Sequence, residues 1–285
     1  MRLSAYVNQH GIDAFQFEDF IFVGRQVAKS PQPLIVVGGQ ALETWGHFFN
    51  VPSPQGDASP LTEDTDFLGG KQDATWLCQR LGFDNTELQF PSQDDTGPSA
   101  ALAYIRRPDG RVLMMDFLHS IVGPSNEKVR RLAVAARVDG VTLSVLHPLL
   151  CLESRMANLQ CLPSKRMGNG PMQARWAVDI ARAYMERAAS AVQGSEDADQ
   201  IASACRMLAE MAEYKYGRYC WINYGLDPLQ AVTPLVLEVC GSGFAHCEWP
   251  RIVERIYRKR DKWSRIQAMR VERAKENAVE KTPGE

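Results

Sequence analysis

The sequence predicts a mixed α/β fold over residues 1–147, a sheet flanked by helices, followed by a helical domain over residues 148–285. Three observations predict it. Short apolar runs bounded by glycine and proline punctuate the first half. Two pairs of such runs are joined by turn signatures, Arg107-Pro-Asp-Gly110 and Asp139-Gly140. Beyond Pro148 the apolar residues recur at helical spacing and no further strand signal appears.

Residues 12–29 read as a first helix, with Phe15, Phe20, Phe22, Val23 and Val27 supplying an apolar face and Pro31 and Pro33 ending it. Residues 34–37, Leu-Ile-Val-Val, form a short buried strand delivering Gly38-Gly39, and residues 40–49 form a helix directly after the glycines. Residues 50–61 contain three prolines and a glycine and read as a loop. A second strand covers 64–68, a helix 74–81, and a short strand 88–90. Residues 101–106 and 111–118 make one hairpin, and residues 132–138 and 141–146 a second. Helices are then expected at 148–160, 172–191 and 201–221. Asp227-Pro228 opens another to residue 239, with Pro234 kinking it, and a last helix spans 250–278.

With 285 residues, 45% hydrophobic and 23% charged, the composition is that of a globular chain. The formal net charge of -2 argues against whole-chain attraction to nucleic acid or anionic membrane. Seven cysteines without a CxxC pair read as reduced thiols in a cytoplasmic protein. Cys240, His246 and Cys247 lie close in sequence but do not complete a zinc set. No apolar run is long enough to span a bilayer, and the N-terminus lacks a signal-peptide pattern.

The chemistry concentrates in Thr62-Glu63-Asp64-Thr65-Asp66-Phe67-Leu68. Side chains in a strand alternate faces, so Asp64 and Asp66 point the same way. Two such carboxylates repel unless a cation lies between them, and magnesium, a hard oxygen-seeking ion, suits them. Gly38-Gly39, between a strand and a helix, can bring bare backbone N–H groups up to a phosphate. A third carboxylate, Asp116, interrupts the apolar run Val112–Leu118. It is either a further metal ligand that helps deprotonate an acceptor hydroxyl, or a surface residue paired with Arg106 or Arg111.

These segments, Val36-Val37-Gly38-Gly39-Gln40-Ala41-Leu42, the Asp64/Asp66 strand and the Asp116 strand, resemble the nucleotidyltransferase fold, and particularly its AbiEii-type branch of toxin and related proteins. The weaker Val145-Leu146-His147-Pro148-Leu149-Leu150 and Asp179-Ile180 extend the resemblance over roughly residues 30–185. It implies a nucleotidyltransferase-like sheet with metal-binding Asp64 and Asp66, and Asp116 as third acid. Gly38, Gly39 and Thr62 would hold the triphosphate of a bound nucleotide. The branch's lysine is replaced by Glu153-Ser154-Arg155, so Arg155, or Lys165 or Arg166 from the next loop, would meet the phosphates. Pro60 stands where the branch carries a basic residue, and Asp179 resembles an acid used by some members. The implied reaction is magnesium-dependent transfer of a nucleoside monophosphate from a nucleoside triphosphate to a hydroxyl. The acceptor by analogy is an RNA such as a tRNA end, with an antitoxin protein as partner. Two alternatives remain open: a non-catalytic binding module, and a transferase acting on aminoglycoside-like small molecules.

Residues 251–285 hold eleven Lys or Arg against six Asp or Glu. This basic stretch suits either contact with an RNA backbone or a solvated helix with paired charges.

Overall fold

The computed structural model describes residues 2–56, 64–92, 94 and 97–280. It has a seven-stranded mixed sheet with helices, followed by a helical C-terminal region. The chain divides into two compact units, Met1–Ala181 and Arg182–Glu285. The division falls later than the expected boundary at 147/148. The helix after Pro148 and the first half of the next one fall in the same unit as the sheet.

The first unit opens with a helix that the sequence reading missed, α1 (Leu3–His10). Leu3, Tyr6 and Val7, at helical spacing, pack against Tyr104, Val112, Leu102 and Met114. Glu87 accepts from the Ser4 hydroxyl and from the Leu3 and Ser4 amides, neutralising the orphan donors of its first turn. Gly11, at φ 83, stops α1. The expected helix over 12–29 is therefore shorter, α2 (Phe17–Val27), and starts at a reciprocal cap between Gln16 and Asp19.

The strands are β1 (Ile35–Val37), β2 (Thr65–Leu68), β3 (Thr86–Gln89), β4 (Ser99–Arg106), β5 (Val112–Leu118), β6 (Val134–Val138) and β7 (Val141–Val145). They lie in the order β3-β4-β5-β2-β1-β7-β6. β1 pairs parallel with β7, and β2 parallel with β5; the other neighbours are antiparallel. Asp139 and Gly140 both take positive φ, as a tight hairpin turn requires. α3 (Gly38–Phe49) starts at the glycine pair itself, and Trp45 donates to the Leu146 carbonyl at 2.7 Å. α4 (Lys71–Leu81) is capped by Asp73, whose carboxylate accepts from the Gly70 amide. α5 (Asn126–Leu132), unanticipated, is capped by Ser125. α6 (Pro148–Cys161) carries His147 at its N-cap, accepting from Leu149 N. α7 (Gly170–Ser190) crosses the boundary between the units.

In the second unit the single helix expected at 201–221 is two, α8 (Ser195–Glu213) and α9 (Lys215–Tyr224), broken at an extended Tyr214. At the break the backbone folds tightly: a Cβ on Gly217 would lie 2.1 Å from the Met211 carbonyl oxygen. Asp227 caps only a short 3-10 turn, Pro228–Ala231. Pro234 starts a new helix, α10 (Pro234–Val239), because proline lacks the N–H that a continuing helix needs and pushes Thr233 into an extended conformation. α11 (Trp249–Glu280) is the last of the described elements. Arg260, buried on α11, forms a two-pronged ion pair with Asp227 and lies 4.1 Å over the Trp221 ring. All seven cysteines are free thiols. Among the described residues no helix is long and apolar enough to cross a membrane.

Candidate active site

Two central strand pairings bring the acidic residues together. β2 runs beside β5 with Asp66 level with Asp116. Paired residues share a face, and neighbouring strands lie about 4.8 Å apart, so the two carboxylates project side by side. Asp64 precedes β2 by one residue and follows the same alternation. One position on, Phe67 and Phe117 turn to the other face, buried with their rings 5.5 Å apart. An apolar layer thus backs the acidic one.

The glycine turn reaches the same place from the other side. β1 is antiparallel to β2 with Val37 opposite Asp66, so Gly38 emerges next to that carboxyl. Gly38 holds φ +67, and a Cβ there would fall 1.8 Å from Asp66 Oδ2. Only glycine lets backbone and carboxylate approach so closely. The first-turn N–H groups of α3, from Gly38 and Gly39 onward, have no carbonyl four residues back to bond. Val37 at the N-cap has no polar side chain to offer them.

Burial, then the Asp64 charge, raise the Asp66 pKa from 3.8 to about 7; Asp116 adds to the rise, while Arg155 and Lys165 oppose it. Asp116 is also raised, first by burial and then by Asp64, against the Ser99 hydroxyl and the His119 charge. Ser99 Oγ donates to Asp116 Oδ1 at 2.6 Å. The arginine-paired alternative for Asp116 is not what forms: Arg111 holds Asp19 and Asp109, and Arg106 lies over the Tyr6 ring.

Arg155, on α6, is influenced by the Asp66 and Asp64 charges, which oppose the lowering of its pKa by burial. Its Nη1 donates to Gln173 Oε1 at 2.9 Å. Lys165 is exposed in the 3-10 turn Pro163–Lys165, and Gly170 lets that turn close, since a Cβ there would lie 1.8 Å from the Lys165 carbonyl oxygen. Arg166 instead caps α6 by donating to the Leu159 and Gln160 carbonyls. The structure therefore gathers Gly38, Gly39, Asp64, Asp66, Asp116, Arg155 and Lys165, all in the first unit. Thr62, with Pro60, lies outside the described residues. Asp179 is exposed on α7 and is not among the charges shifting Asp66 or Asp116.

Sequence reasoning missed Ser99, Gln173 and His119, which carry no local motif. Among the described residues, no group of three or more His, Cys, Asp or Glu is arranged to hold a metal ion unaided. A groove of about 820 Å³ runs along Gln40, Glu43, Thr44 and His47 of α3 and is walled by Phe17 and Trp176. It includes none of the clustered carboxylates. Compared with protein-family models and with curated proteins, the chain matches none.

Proposed function

We propose that this chain is a magnesium-dependent nucleotidyltransferase built on a nucleotidyltransferase-like fold. The observation that carries the reading is the register of Asp66 with Asp116 on adjacent strands, with the Gly38 turn pressed against Asp66. Carboxylate oxygens are the donors magnesium prefers, and an acidic cluster whose members raise one another's pKa is relieved by a divalent cation. The Gly38 turn supports the fit, since the missing side chain is what lets the Asp66 carboxyl lie against the backbone at the start of α3.

Asp64 and Asp66 are the proposed magnesium ligands, with Asp116 as the third. When bound, magnesium supplies charge neutralisation and polarises phosphate oxygens. The Gly38 and Gly39 amides hold the triphosphate, and the guanidinium of Arg155, fixed by Gln173, and the Lys165 ammonium offset its charge. Asp116 takes the proton of the acceptor hydroxyl. That oxygen bonds to the α-phosphorus as the bond to the β-phosphate oxygen breaks and pyrophosphate leaves. The chain's contribution is chiefly positioning and charge compensation.

RNA is the proposed acceptor class. Its support is the stripe Arg251, Arg255, Arg258 and Lys262 on α11, at spacings of four, three and four residues, with Lys259 beside it. Glu213 engages Arg255 and Lys259, and Glu254 engages Arg258, so the stripe is partly neutralised.

The test offers each α-labelled nucleoside triphosphate with magnesium to pools of RNA, protein and small amino alcohols. Label should move to RNA with pyrophosphate released, and Asp64→Ala should abolish transfer while leaving the circular dichroism spectrum intact. Transfer to an amino alcohol would reassign the acceptor. No transfer and no pyrophosphate in any pool would sink the proposal.

A further inference from the structure

β4 and β5 are paired in a regular antiparallel register from Arg106 opposite Val112 to Ala101 opposite Phe117. Continued unbroken, that register would set Ala100 opposite Leu118, on the Asp116 face, and turn Ser99 to the apolar face beside Ala101 and Phe117. It does not continue. A bulge between Ser99 and Ala101 sets Ser99 opposite Leu118 instead. The extra residue, Ala100, is buried. Leu118 lies two residues beyond Asp116 and shares its face, so this one-residue slip carries the Ser99 hydroxyl onto the acidic face. There it donates to Asp116 Oδ1 at 2.6 Å. Bulges re-aim single side chains in this way at the ends of paired strands.

We infer that Ser99 is a positioning residue for Asp116, set in place by the Ala100 bulge. A hydroxyl donor on Oδ1 fixes the rotation of the carboxyl group and occupies one of its two oxygens. Asp116 then presents Oδ2 alone to the cluster, as a one-oxygen ligand and proton acceptor rather than a two-oxygen chelator. Residues that orient a metal-binding carboxylate without touching the metal typically change affinity or turnover by about 10- to 100-fold. The inference rests on the nucleotidyltransferase reading and names one more residue of that site.

The experiment compares the full-length wild type with Ser99→Ala and Ser99→Thr. Manganese binding is followed by electron paramagnetic resonance without nucleotide, and transfer kinetics are measured separately. In Ser99→Ala, manganese affinity and kcat should each fall about tenfold, with KM for the nucleotide within about twofold of wild type. Ser99→Thr keeps the hydroxyl and should restore both to within about threefold of wild type. A wild type that binds manganese and transfers nucleotide, with a Ser99→Ala variant matching it, would overturn the inference alone. Failure of Thr to rescue would do the same, because the hydroxyl would not be the active feature. A wild type that neither binds manganese nor transfers would remove the underlying reading, and the inference with it.

Discussion

Replacing Asp66 with asparagine should stabilise the metal-free protein, with a characteristic pH dependence. The Asp66 pKa is raised from 3.8 to about 7, chiefly by burial and then by Asp64. Between these values the folded chain keeps a proton that the unfolded chain has released, so wild-type stability falls as pH rises through that window. Each pH unit is worth about 1.4 kcal/mol, which sets an upper bound of about 4 kcal/mol above pH 7. Asp64 and Asp116 share the repulsion and the residue is only half-buried, so a cost on the order of 2 kcal/mol is the expected result. Asparagine cannot ionise. In EDTA, the stability gap between Asp66→Asn and wild type should be near zero at pH 4 and open to about 2 kcal/mol by pH 8. Denaturant titrations at several pH values, followed by a probe in the sheet unit, measure it. Millimolar magnesium should then narrow the gap, because binding stabilises only the protein that keeps the ligand. A gap that is constant with pH, or one that closes as pH rises, would refute the electrostatic account of the cluster.

Other substitutions test the supports of the site and the packing around it. Gly38→Ala should cost about 2–4 kcal/mol from the left-handed backbone and the displaced Asp66 carboxyl, and should abolish the magnesium-induced rise in Tm; a normal Tm with normal magnesium response would contradict the close approach. Asp19 is fully buried and accepts from Arg107 and Arg111, tying α2 to the β4–β5 hairpin. Because both arginines are partly exposed, Asp19→Ala should cost about 2–4 kcal/mol, measured by urea unfolding, and a change under about 0.5 kcal/mol would show the pair to be incidental. Arg260→Ala leaves the Asp227 carboxylate buried without its partner and should lower the stability of the second unit by about 3–5 kcal/mol; calorimetry showing both units unaffected would rule that out.

Some of the site was legible because its determinants are local. Alternation along one strand puts Asp64 and Asp66 on one face, and a glycine pair after a β-branched run marks a turn into a helix. The partnership of Asp66 with Asp116 was only one of two readings open for Asp116, since it depends on β2 lying parallel to β5 rather than beside any strand next to it in sequence. Ser99 was not legible, since its side chain faces Asp116 only because of a bulge with no glycine to mark it. The sequence left Arg155, Lys165 and Arg166 as alternatives for one role. The charges of the first two act on Asp66, and the third caps α6. The same limit explains the helices. α1 is short, and its apolar face makes sense only once β4 and β5 are present to receive it. The break at Tyr214 follows from the close approach of Gly217 to the end of α8, a tertiary fact hidden in a run of residues that tolerate helix.

Isothermal titration calorimetry of nucleoside triphosphate binding, with magnesium and with EDTA, tests the central claim most directly. The account predicts saturable binding that requires magnesium and disappears in the folded Asp64→Ala/Asp66→Ala double variant. Nucleotide binding that is indifferent to magnesium, or that survives loss of both aspartates, would contradict it.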